Sequence, residues 1–352
     1  MEIGIKYGSV FMQRHKKVIA LALASGILLI LLCFVPVAYL VSLAIMAGIY
    51  AVFCLGLNIQ WGYTGLFNIG IAGFFCIGAY ASAMITTPKP TGVYAHYVKQ
   101  LFGLNLPFVA GLLGAALICG VIAFLIGMPT LKLREDYLAI ATLGIAESFR
   151  LIFNNEHWLA NGPRGLMGLP QPLQNLVDPK HYNYIYLIII AFIVVIIYLA
   201  IERAIRSPWG RVLRAVREDE GSAAMSGKDV FSFKMQSLIF GAMIMGCGGA
   251  LYAHYTKAIS PLVFTPLYGT FIIWVMLMAG GSGNNKGAVL GAYAVWGIWI
   301  GTKFMTDLLP YFLKAKAPYI RFLLIGILLE IILIYRPRGL LGEEKRVSKL
   351  AD

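Results

Sequence analysis

Long apolar runs separated by short polar punctuation organise the chain from end to end. After an opening that carries Lys6, Arg14, Lys16 and Lys17, residues Val18–Val35 run without a charge until Pro36, and Ala38–Asn58 follows as a second apolar run. Asn68–Ile85, Pro107–Met128, Tyr137–Phe153, Tyr184–Ile201, Gln236–Tyr255, a short Leu267–Ala279, Ala288–Met305 and Tyr319–Tyr335 continue the series. A helix of about 20 apolar residues spans the hydrocarbon core of a bilayer. The pattern therefore predicts an all-α polytopic membrane protein with about ten transmembrane helices. The first run is too long for the core of a signal peptide and lacks a small-x-small site after it, so it reads as an uncleaved span.

Charge placement tests this count. Counted over the expected spans, with the amino terminus inside, 19 of the 29 Lys and Arg residues fall on the inner side and 8 on the outer side or outer helix ends; Arg150 and Arg321 lie near helix ends. Basic residues concentrate in cytoplasmic loops of membrane proteins, so both termini are expected in the cytoplasm. The resulting organisation is an inner segment 1–17, a transmembrane region 18–335 and an inner tail 336–352. Within the region lie an outer loop, 154–183, and a strongly charged inner segment, 203–234.

Composition agrees: of 352 residues 59% are hydrophobic and 13% charged, which excludes an ordinary soluble globule and a disordered chain. The formal charge of +13 would raise nucleic-acid binding in a soluble protein. Here the lipid bilayer is the simpler partner and no nucleic acid is expected. Cys33, Cys54, Cys76, Cys119 and Cys247 lie in apolar stretches and read as small buried hydrophobes. The five His residues sit at ends and in loops without ligand spacing, so no metal site is expected. Ser226-Gly227-Lys228-Asp229 fails as a phosphate loop, with Ser222 where the first Gly belongs and Asp229 where Ser or Thr should hold Mg. No catalytic residues are expected. Small residues recur at interface spacing, in Gly287xxxGly291, Gly297xxxGly301, Gly111 with Gly114, and Gly246, Gly248, Gly249 and Ala250.

Three polar features remain. Glu147 and Arg150, three apart in one span, share a helix face and can pair, in a bundle-facing role or along a solute path. Asn58, Gln60, Thr64 and Asn68, and the break Gly280–Gly287, interrupt helices. The topology places both breaks as inner turns, while buried irregular backbone lining a path is the competing reading. Ser207–Asp229 is expected to form a short amphipathic helix, with Val212, Leu213, Val216 and Met225 on its apolar side. Arg211, Arg214 and Arg217 are on its basic side, and Glu218, Asp219 and Glu220 follow. It suits lying on anionic lipid or docking into a protein groove.

Several of these segments carry a resemblance. Leu55–Gly70 with Gly73–Tyr80, Leu133–Gly144, Asn161–Pro170, Ser207–Glu220, Gly249–His254 and Tyr335–Gly342 resemble, in order, the motifs of LivM-type permeases of the branched-chain amino acid ABC importer family. The resemblance implies a permease that pairs with a homologous second permease in a heterodimer. It implies two cytoplasmic ABC ATPase subunits, which carry ATP and Mg while this chain binds no cofactor, and a periplasmic substrate-binding protein, in a bacterial inner membrane. Trp209, Gly210, Arg211, Arg214, Arg217, Glu218, Asp219 and Glu220 would couple to an ATPase, Asn161, Gly162 and Arg164 would meet the binding protein, and transport would proceed by alternating access. Urea and short-amide permeases of the same superfamily, and an ion-coupled secondary transporter relying on Glu147 and Arg150, are the alternatives.

Overall fold

The computed structural model describes residues 36–90, 99–307 and 316–343. The chain divides into two compact units, Met1–Leu43 and Ala44–Asp352, and the contacts below belong to the second. The expected first span, Val18–Val35, and most of the flanking terminal segments lie outside the described residues. Each of the other nine expected spans falls on a helix. These are α1 (Val37–Leu57), α2 (Ile71–Thr86), α3 (Phe108–Thr130), α4 (Glu135–Asn155), α5 (Tyr182–Arg206), the short inter-span helices α6 (Pro208–Glu218) and α7 (Glu220–Met225), α8 (Val230–Thr256), α9 (Ile272–Gly280), α10 (Asn285–Asp307) and α11 (Ala317–Tyr335). Among the described residues, five helices are long and apolar enough to cross a membrane, and two shorter apolar ones, Ile71–Thr86 and Leu267–Gly280, accompany them.

Helices α2, α3 and α8 pack mutually at the centre. All of α2 except Ile85 is buried, as its all-round apolar sequence demands. Its approach to α8 is set by glycines: a Cβ on Gly78 would stand 2.5 Å from the Gly246 carbonyl oxygen, and one on Gly249 2.5 Å from that of Phe75. Helix α3 turns Gly111, Ala115, Cys119, Gly120 and Ala123 inward, while Val109, Leu113, Leu117, Val121 and Leu125 are 58–61% exposed. Small residues inside and large apolar residues outside invert the order of a water-soluble protein and suit a helix bathed in lipid. Gly287 and Gly291 likewise let α10 close on α9, the latter's missing Cβ facing the Met276 oxygen at 2.1 Å; Gly297 and Gly301 meet nothing within 4 Å among the described residues.

The breaks differ from expectation. Helix α1 does not end in a turn at Asn58: Asn58–Tyr63 continues it as a π-helix and is buried except for Trp61. The second break is a turn, but a shorter one, confined to residues 281–284. The run from Leu267 opens with a π-helical stretch to Phe271 before α9. The long loop after α4 is ordered locally by a helical turn at His157–Ala160, a 3-10 turn at Gly162–Arg164 and strand β1 (Leu166–Met167). β1 pairs antiparallel with β2 (Ala258–Ile259), Leu166 opposite Ile259.

Candidate functional site

Helix α6 is amphipathic because Leu213 and Val216, one turn apart, are buried while Arg211 and Glu218 are exposed. Gly210 seats it: an added Cβ would lie 2.2 Å from the Ile205 carbonyl oxygen, so only glycine allows α6 to fold back against the end of α5. Trp209 donates its indole N–H to Gln236 Oε1 at 2.8 Å and meets Phe240 edge-on. The expected single helix is two. Asp219 leaves helical conformation, its carboxylate accepting the Ser222 N–H at 2.9 Å and starting α7. That bond holds the Asp219 carboxyl below its ordinary range, and Asp229 is lowered likewise by Ser232 at the start of α8. The restart resets the helical phase, so Ala223 is buried where Met225, 93% exposed, was expected. Glu220 pairs with Lys234 and Asp219 caps α7, so two of the three acidic residues serve the segment's own fold.

Arg217 is the inward link. One Nη donates to the main-chain oxygen of Gly62 in the π-helical stretch, and the other reaches both carboxylate oxygens of Glu343 at 2.9 and 3.0 Å. The stretch itself is a polar knot. Within it the Ile59 carbonyl accepts from the Thr64 and Ser237 hydroxyls at 2.9 and 3.1 Å, and the Gly62 carbonyl accepts from Arg217. Asn58 donates to Asn285 Oδ1 at 2.9 Å and accepts the Gly283 N–H at 2.9 Å, and Asn285 donates onward to Glu202 at 2.9 Å. Gln60 donates to the Leu238 oxygen at 2.9 Å and accepts from Asn68 at 2.8 Å. Thr64 and Ser237 hydroxyl oxygens lie 2.7 Å apart. Trp61, Phe67 and Trp274 close the side with centroids 5.1–5.3 Å apart. Asn58, Gln60 and Asn68 are at most 1% exposed, so the knot is packed.

A polar cavity of about 550 Å³ lies beside it, lined by Arg214, Arg217, Glu218, Glu202, Lys286 and Arg338 among others. The chain beyond α11 floors this end: Leu340 and Leu341 donate main-chain bonds to Ala279 and Gly280 at 2.8 and 2.9 Å.

At the opposite end of α8 the Asn161–Gly165 motif is a strained turn. Asn161 takes φ +66° and bonds the Gly165 oxygen at 3.1 Å. Gly162 and Gly165 also have positive φ, and a Cβ on Gly165 would overlap the Ile259 oxygen at 1.9 Å. Arg164 alone of the three candidates is exposed. His254, expected at a helix end without a role, is fully buried. Its Nδ1 faces the Pro170 carbonyl at 2.7 Å and must donate, so Nε2, 2.9 Å from Ser82 Oγ, accepts. It ties the loop to α2 at the polar end of a second, largely apolar cavity of about 1070 Å³. Glu147 and Arg150 do pair, Nε donating to both carboxylate oxygens at 2.9 and 3.0 Å. The described residues contain no cluster of three or more His, Cys, Asp or Glu able to hold a metal.

Residues 39–333 match the profile of a family described as the permease component of branched-chain amino acid transport systems. The chain is 29% identical over 334 residues to the "Probable branched-chain amino acid transport permease protein LivM" of Methanocaldococcus jannaschii, covering 86% of this chain and 92% of that one. It is 31% identical to the high-affinity branched-chain amino acid permease protein LivM of Salmonella typhimurium, over 88% and 72%. It is 24% identical to a nucleoside ABC transporter permease protein of Lactococcus lactis, over 65% and 70%. No solved structure matches.

Proposed function

The chain belongs to the family of permease components of branched-chain amino acid transport systems, a multi-pass membrane protein, and from there we propose that it is the permease subunit of an ATP-driven importer for branched-chain or other small amino acids. Its partners are a homologous second permease, two cytoplasmic ABC ATPases that hold ATP and Mg, and a periplasmic substrate-binding protein, in a bacterial inner membrane. The end carrying α6 and α7 faces the cytoplasm, in keeping with its basic residues. The Asn161–Pro170 loop faces the binding protein, with Arg164 as its exposed charge.

The observation that carries the mechanism is the Arg217–Gly62 bond. Arg211, Arg214 and Glu218 are the face offered to an ATPase, and Gly210 and Trp209 fix α6 on the bundle. Movement of α6 on nucleotide binding pulls on the π-helical stretch through Arg217, and the stretch is bonded to α8, to α10 and, through Asn285, to α5. One displacement thus reaches three helices, which is the requirement for switching a bundle between inward and outward access. Substituting Arg214 and Glu218 together should leave assembly intact while uncoupling ATP hydrolysis from uptake in reconstituted vesicles. Coupling that survives the double substitution would overturn the proposal. The nucleoside permease relative favours a second reading, a different small polar cargo carried by the same machinery. Thermal-shift screening of the cognate binding protein with amino acids, nucleosides, urea and amides decides between them.

A further inference from the structure

Helix α4 has two unlike faces. Leu138, Ala139, Thr142, Ala146 and Phe153 are buried, and α2 approaches so closely that a Cβ on Gly73 would lie 2.9 Å from Ala146 Cα. The opposite face carries Gly144, Glu147 and Ser148 at its middle. No described residue lies within 4 Å of where a Gly144 Cβ would stand. Ser148 is exposed, its hydroxyl donating to the Gly144 oxygen at 2.8 Å, and the Glu147 and Arg150 side chains are 35% and 17% exposed. At 1.5 Å per residue, Glu147 stands about 18 Å along the helix from Glu135, near the middle of a hydrocarbon core about 30 Å thick. Exposed Tyr137, Ile140, Leu151 and Ile152 flank this polar patch on α4, whereas the outward face of α3 is apolar throughout.

Intramembrane charges almost always turn to protein or to water, so a partly exposed ion pair beside an exposed serine at that depth is out of place against lipid. We propose that this face of α4 lines the solute path, and that Glu147 and Arg150 receive the two charges of a free α-amino acid, its ammonium on Glu147 and its carboxylate on Arg150. The inference rests on the amino-acid reading above. Without cargo the two side chains satisfy each other, so the path holds no uncompensated charge. With cargo, one ion pair is exchanged for two of the same kind, which binds weakly enough to release. The i,i+3 spacing keeps both groups on one face, so a zwitterion meets them with fixed polarity.

The test uses the assembled transporter with its ATPases in proteoliposomes, leucine as the probe, and the unaltered chain as the background for native cysteines. Ser148→Cys should react with a charged, membrane-impermeant thiosulfonate and be protected by leucine, while Leu117→Cys should react only with a lipid-soluble maleimide. Glu147→Gln or Arg150→Gln should raise KM for uptake at least tenfold. The exchange Glu147→Arg with Arg150→Glu keeps an ion pair but reverses its polarity, and should not restore KM. A Ser148→Cys that the charged reagent never reaches, or an exchange that restores KM, overturns the inference and leaves a structural pair or a subunit interface. Failure of the unaltered complex to take up leucine with ATP overturns the proposed cargo itself.

Discussion

The side-chain amide of Asn58 donates to that of Asn285 at 2.9 Å, joining two segments 227 residues apart in the chain with neither amide more than 2% exposed. Asn58 also accepts the Gly283 N–H, so one residue holds the π-helical stretch to both the 281–284 turn and α10. Buried polar groups left without a partner cost about 1–3 kcal/mol each. Asn58→Leu orphans the Gly283 N–H and one oxygen of Asn285, and should destabilise the protein by about 2–4 kcal/mol, read as a lowered thermal midpoint of the detergent-purified transporter. An unchanged midpoint would show that the knot adds nothing to stability.

Gly210 and Gly326 make a matched pair. Gly210→Ala places a methyl 2.2 Å from the Ile205 oxygen, backbone that cannot step aside, whereas Gly326→Ala in α11 meets nothing within 4 Å among the described residues. Uptake should fall tenfold or more in Gly210→Ala with the protein still inserted, and Gly326→Ala should behave as the parent. Equal activity in the two variants would separate α6 seating from transport.

The Asp219 cap is sensitive to acid. Its carboxyl is held below the ordinary value by the Ser222 N–H, so the cap's contribution is full above about pH 4 and is lost as pH falls through the lowered value. Hydrogen exchange at Ser222 should accelerate, relative to its intrinsic rate, as pH falls below about 4. Asp219→Asn keeps a capping oxygen that does not titrate and should remove that dependence; a parallel profile in both proteins would count against the cap.

Removing the imidazole of His254 strands the Pro170 oxygen and the Ser82 hydroxyl and leaves a void beside Phe108, whose ring lies 5.0 Å away. His254→Ala should cost about 2–5 kcal/mol by the combined loss of partners and packing. Amide exchange should rise across residues 160–171, and His254→Gln should recover part of the loss. Protection equal to the parent in that loop would show that other contacts hold it.

Hydropathy alone was enough to place the helices of the nine expected spans that fall on described residues, because a span is apolar over most of its length and the charges between spans cannot hide. The amphipathic α6 was legible for the same reason, its period written in Leu213, Val216 and the arginines. The knot was not. Asn-Ile-Gln-Trp-Gly-Tyr-Thr-Gly reads locally as a turn, and what buries it are partners at Ser237, Leu238, Gly283 and Asn285, far along the chain. His254 stands alone in an apolar helix, with no neighbour at a spacing that would betray its bonds. Gly287xxxGly291 and Gly297xxxGly301 are the same motif, yet among the described residues only the first packs, since the motif permits close approach without choosing a neighbour.

A helix that widens over Asn58–Tyr63 holds more residues per turn than the stretch before it. Each residue of a regular helix advances by about 100°, so deleting one from this stretch would swing everything on its far side through about that angle, and passing the wide turn along would swing only the residues it passes, at nearly constant length. Trp61, Gln60 and the loop to Asn68 would then face new neighbours while α1 stayed where it is. The rod can in this way be turned like a key at one end without being pushed.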